Sequence, residues 1–150
     1  MARVYNDKRS YLDNRLKFQN LSKNANTILR EFGISLTFKG FVETMVSYMK
    51  ADDMTPTTDI EELIRDLNCW VDYLGEIRAI VSYYKKSFEI KGDSATEESK
   101  IIEYKDKSFI LKKYEHALYT QEKTFTKAYK DLEFQYHERV KKYMRFTGDE

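Results

Sequence analysis

Between Thr58 and Lys91 apolar residues recur at alternating intervals of three and four, the spacing of a helix that buries one stripe. With Ile60 at position a of a heptad, the a series reads Ile60, Leu67, Leu74, Val81, Phe88 and the d series Leu63, Trp70, Ile77, Tyr84. Every one of these positions is apolar, which predicts a coiled-coil-like helix of roughly 50 Å at 1.5 Å per residue. Thr58-Asp59-Ile60-Glu61, just after Pro56, has the form of a capping box. Lys85, Lys86 and Lys91 suit the negative end of that helix, and Gly92 suits its left-handed terminus.

A second capping pattern, Ser94-Ala95-Thr96-Glu97, opens a helix expected to reach about Phe146, since no Pro or Gly interrupts residues 95–147. Its a series is Tyr104, Leu111, Leu118, Phe125, Leu132, while its d series (Lys107, Tyr114, Gln121, Ala128, Gln135) is partly polar. Toward the end the stripe moves to Leu132, Tyr136, Val140 and Tyr143, which changes the supercoil or the partner. So short a connection makes the two helices an antiparallel hairpin with arms of about 34 and about 50 residues, the longer overhanging by ~17 residues or ~25 Å. The overhang, with Leu132, Phe134, Tyr136 and Val140, is too apolar to be left in water.

The N-terminal part is the expected cover. Residues 8–32 place Tyr11, Phe18, Leu21, Ala25, Ile28 and Phe32 on one face before Gly33, and a shorter helix over residues 37–50 buries Phe41, Val42, Met45 and Met49. The predicted fold is therefore all-α: a long antiparallel helical hairpin, coiled-coil-like, with two N-terminal helices packed on the overhanging end. Residues 1–56 form a basic N-terminal region and residues 57–150 the hairpin, together one structural unit. A second copy of the chain is the alternative cover, so Trp70, Leu132, Tyr136, Val140 and Tyr143 are candidate packing or oligomer contacts. The polar d positions Gln121 and Gln135 favour a defined oligomer over open aggregation.

Composition narrows the function. With 150 residues, 41% of them hydrophobic and 34% charged, the chain has the size and apolar content of one folded domain. One Pro and five Gly are too few for the turns of a many-stranded β protein. The single Cys69 excludes an intramolecular disulfide and a cysteine metal cluster, which suits the cytoplasm, or a host cell's cytoplasm for a viral chain. No run approaches the roughly 18 apolar residues of a membrane span, so no membrane partner is expected. The net charge of +1 conceals asymmetry, since residues 1–50 carry +5, residues 51–100 carry −6 and residues 101–150 carry +2. Such a distribution suits contact between segments or chains, or an anionic partner.

Catalytic constellations are missing from the sequence. The glycines are never grouped as phosphate-binding loops require, and neither His116 nor His137 sits in a nucleophile context. Glu133 and His137 lie one turn apart, an arrangement far more often a surface hydrogen bond than a metal pair. No enzyme activity, metal or cofactor is expected. The acidic set Asp52, Asp53, Asp59, Glu61, Glu62, Asp66, Asp72 and Glu76 reads as an outer helix face, set beside Lys123, Lys127 and Lys130 in an antiparallel register.

The functional candidate is a basic and aromatic strip on the second arm. Lys105, Lys112, Lys113, Lys123, Lys127 and Lys130 are interleaved with Phe109, His116 and Tyr119, and Lys141, Lys142 and Arg145 extend the strip. Lysines can follow a phosphate backbone while aromatic faces stack on bases. A merely solvated helix face, with its aromatics against another helix or subunit, weighs more for this strip alone, because nearby Glu and Asp dilute its charge. Arg3, Lys8, Arg9, Arg15, Lys17, Lys23 and Arg30 form a cleaner N-terminal set, opposed only by Asp7, Asp13 and Glu31. In broad architecture residues 57–146 resemble the small helical DNA-handling proteins of bacteriophages, a likeness that implies no residue-level role. The expectation is a non-enzymatic, oligomeric binder of DNA or RNA, narrowly preferred over a structural, assembly or adaptor protein that contacts other proteins through its hairpin.

Overall fold

A computed structural model describes the backbone of residues 15–147 and the side chains of residues 17–142. Its described residues form helices α1 (Arg15–Arg30), α2 (Phe41–Lys50), α3 (Thr57–Ser94) and α4 (Glu98–Thr147), with no strand. The architecture is all-α: α3 and α4 are the arms of a long antiparallel hairpin, and α1 and α2 are two shorter helices packed on it. The heptad stripe becomes the core. Ile60, Leu63, Leu67, Leu74, Ile77, Val81 and Phe88 are buried against Leu111, Tyr114, Leu118, Phe125, Ala128 and Leu132. Trp70 and Tyr84 are half-buried because they face outward to the N-terminal segment, where Phe38 and Phe32 stack on them.

Several boundaries differ from the expected ones, each for a local reason. Helix α3 starts at Thr57, where the Pro56 carbonyl accepts from the Asp59 and Ile60 amides, and no side-chain cap forms. Its far end runs past Gly92 to Ser94, so Ser94 cannot cap the next helix, whose first turn closes on the Glu97 carbonyl instead. Gly92 is buried inside the helix, where a Cβ would stand 3.6 Å from the Tyr104 Cβ, ordinary contact, so it acts as a helical residue facing the second arm and not as a terminator. Helix α2 begins at Phe41 because Gly40 adopts φ 88°. Helix α1 ends as its sequence indicates. Gly33 takes φ 75°, its amide donates to the Arg30 carbonyl, and the Ile34 amide reaches back to Leu29.

The overhang is shorter than the pattern predicts. Arms of 38 and 50 residues differ by about 18 Å at 1.5 Å per residue, and the register absorbs part of that. Arg78 meets Glu122 and Lys85 meets Glu115, while at the open end Tyr136 donates to Glu61 at 2.6 Å. Arg139 donates to the carbonyls of Asp52 and Thr55, so pairing continues to the linker that precedes α3. Leu132 and Tyr136 thus belong to the paired hairpin. The two short helices accordingly pack along the paired arms. Phe18 and Ser22 of α1 meet Tyr114, and Phe32 stacks on Tyr84 at 4.5 Å. Phe41 of α2 stacks on Phe125 at 4.9 Å, and Tyr48 donates to Asp131 at 3.3 Å.

Candidate nucleic-acid interface

At about 100° per residue, Lys105, Lys112, Lys113, Lys123, Lys127 and Lys130 fall within an arc of roughly 100° on α4. All six are exposed. From Lys105 to Lys130 the row spans ~37 Å at 1.5 Å per residue. Phe109 is 57% exposed, Tyr119 41% and Phe134 66%, and these three rings lie on or beside the same arc. Lys113 stands 4.5 Å over the Phe109 ring and Lys123 4.7 Å over the Tyr119 ring, so ammonium and aromatic face are presented together.

Two of the acids that dilute this charge in the sequence are turned to the seam with α3. Glu122 is paired with Arg78 at 2.9 Å and Glu115 with Lys85 at 3.2 Å, both across the seam to α3. These pairs hold the hairpin register with bases on α3 and acids on α4, the reverse of the polarity expected for Lys123, Lys127 and Lys130. Lys107 leaves the ridge as well. Burial disfavours its charge, but hydrogen bonds with Glu31 and Glu103 outweigh that and hold its pKa above the ordinary lysine value. Glu103 is held below the usual carboxylate range by its bonds to Lys107 and Lys100.

Helix α1 brings Lys17 to the edge of the ridge. A groove of about 680 Å³ separates the two helices, with Lys17, Asn20 and Asn24 on the α1 side and Phe109, Lys112, Lys113 and His116 on the α4 side. Lys23 lies on the other flank of α1, beside Phe38 and Val42, so it does not join the ridge. Lys141 and Lys142 are exposed at the open end, Lys141 within 3.9 Å of Glu138. Arg3, Lys8 and Arg9 lie outside the described residues, as do the side chains of Arg15, Tyr143 and Arg145.

The candidate packing residues separate. Trp70 sits in an aromatic cluster with Phe38, Phe41 and Tyr73, Leu132 is buried in the hairpin, and Tyr136 is half-buried and tied to Glu61. Val140 is 37% exposed near the tip. Both polar d residues have places within the chain. Gln121 is buried at the floor of the α1–α4 groove, and Gln135 donates to Asp131.

Sequence reading did not assign Asn20, Asn24 or Thr120 to this surface, because nothing in the periodicity of α1 says which part of α4 it meets. Phe134 was expected inside an apolar tip; its angular position on the lysine arc was the available signal. Among the described residues no group of three or more His, Cys, Asp and Glu is placed to hold a metal ion, and no helix is long and apolar enough to cross a membrane. In comparisons with known proteins, no family model, no curated protein and no solved structure matches the chain.

Proposed function

We propose that this chain is a non-enzymatic nucleic-acid-binding accessory protein that lays a single strand of DNA or RNA along the outer face of α4. One observation carries the reading: six exposed lysines and the Phe109, Tyr119 and Phe134 rings share one side of α4, while Glu115 and Glu122 are turned away and paired on α3. A row of cations ~37 Å long supplies the sequence-independent attraction to phosphates, and exposed rings between them suit unpaired bases, whose faces a duplex hides. Association through Tyr83 and Ile90, both about two-thirds exposed and seven residues apart on α3, makes the protein an oligomer in this reading.

That same apolar pair supports a second reading, an adaptor that binds another protein through the hairpin. A length series of fluorescent single strands and duplexes, titrated from low to physiological salt with mass measured by light scattering, separates the two. The nucleic-acid reading requires salt-sensitive binding that favours single strands. Binding to neither form near physiological salt, with a mass that oligonucleotide leaves unchanged, rejects it.

A further inference from the structure

We infer that the groove between α1 and α4 is a pocket for one nucleotide unit, with the phosphate on Lys17, Lys112 and Lys113 and the base against the amide and aromatic groups beside them. The inference deepens the strand-binding reading, which would supply that unit from a bound strand, but the pocket's chemistry can be tested by itself. Its volume of about 680 Å³ lies in the range of small-ligand sites. Lys17, Asn20 and Asn24 follow one another at i, i+3 and i+7 and so share one side of α1, while Phe109, Lys112 and His116 do the same on α4. Two helices of one fold therefore build the opposing walls.

Charge selects an anion. Among the described residues, three lysines line the groove and no carboxylate does. A bare phosphate would use those cations and leave the remainder of the site idle. The floor is formed by Phe18, Leu21 and Ala117, apolar surface suited to the face of a planar ring. Asn20, Asn24 and Gln121 each offer a carboxamide with a donor and an acceptor side by side, which is the pattern that matches the edge of a base. Phe109 and His116 add π faces at the rim, on which a base can stack. An anion joined to a flat, hydrogen-bonding heterocycle uses every one of these features.

The test titrates the full chain with AMP, UMP, adenosine and inorganic phosphate, observing by NMR the side-chain amides of Asn20, Asn24 and Gln121 and the His116 ring. Saturable AMP binding is expected, about tenfold or more tighter than phosphate or adenosine, with shifts centred on those groups. The double variant Lys112→Glu/Lys113→Glu should weaken AMP by about tenfold or more with its thermal melt unchanged, whereas Lys127→Glu/Lys130→Glu should leave AMP binding intact. Absence of saturation, equal affinity for AMP and phosphate, or equal loss in the two double variants overturns the pocket. Retained AMP binding in a protein that fails to bind oligonucleotides would reject the strand-binding function and keep the pocket; oligonucleotide binding without AMP binding would do the reverse.

Discussion

The Ser22 hydroxyl donates to the phenol oxygen of Tyr114 at 3.1 Å, a buried bond that pins α1 to the middle of α4 across 92 positions of sequence. Burial pushes the Tyr114 phenol up to about 12, against the help that Ser22 gives the phenolate. Below pH ~10 the phenol is protonated both folded and unfolded, so it adds no pH dependence there. Between ~10 and ~12 the unfolded chain alone loses the proton, and stability falls by an amount on the order of 2 kcal/mol. Urea melts from pH 8 to 12 should show this loss in the parent and a smaller one in Tyr114→Phe. At pH 8 that variant should lose about 1 kcal/mol, because the Ser22 hydroxyl forfeits its partner. Identical alkaline profiles would mean that Tyr114 is not sealed beneath α1.

Gly92 and Gly33 respond oppositely to alanine. Gly92 is helical, and an added Cβ would rest 3.6 Å from the Tyr104 Cβ, ordinary contact, so Gly92→Ala should stabilise by about 0.5–1 kcal/mol. Gly33 holds φ 75° with open space around it, so Gly33→Ala should destabilise by about 1 kcal/mol through the backbone alone. Thermal or urea melts of the two variants check the opposite signs. A destabilised Gly92→Ala would show that the arms approach more closely than these distances indicate.

The hairpin was legible because its signal is local. Nine heptad positions from Ile60 to Phe88 specify one buried stripe, and a connection of three residues leaves α4 no direction except back along α3. Capping was not legible in the same way. Ser94-Ala95-Thr96-Glu97 has the letters of a box, but α3 runs through Gly92 to Ser94, so Ser94 is spent inside the first helix. The charge reading erred for a similar reason. Counting Glu115 and Glu122 against the nearby lysines treats the helix as a line, whereas on a cylinder they lie about 60–80° beyond the edge of the lysine arc and are paired with Lys85 and Arg78. The α1–α4 groove had no sequence signal at all, since contacts such as Ser22 with Tyr114 depend on long-range packing and not on periodicity.

Arg139 ties the chain leading into α3 to the far end of α4. Its guanidinium donates to the carbonyls of Asp52 and Thr55, in a linker that also folds on itself: the Met54 amide donates to Asp52 Oδ1 and the Asp52 amide to Thr55 Oγ1, each at 2.9 Å. Arg139→Ala should cost about 1–2 kcal/mol, as expected for partly exposed charged hydrogen bonds. It should also speed amide exchange at residues 52–60 while leaving the Leu74–Phe88 core protected. Unchanged exchange in the linker would show that its own turn suffices to hold it.

Lysines and rings on α4 should separate in their salt dependence. If the six lysines from Lys105 to Lys130 each neutralise one phosphate, log affinity for a single strand should fall against log salt with a slope of about −4. Replacing Lys105, Lys123 or Lys130 by Ala should flatten that slope by about 0.7 apiece and weaken all sequences alike. Tyr119 and Phe134, exposed at 41% and 66%, carry no charge, so Tyr119→Ala and Phe134→Ala should weaken binding while the slope stays constant. The expected loss is about 1–3 kcal/mol per stacked base. Titrations at four or more salt concentrations measure both quantities together. Lysine variants that leave the slope unchanged would exclude phosphate contact by this face, and ring variants with no effect would exclude stacking on it.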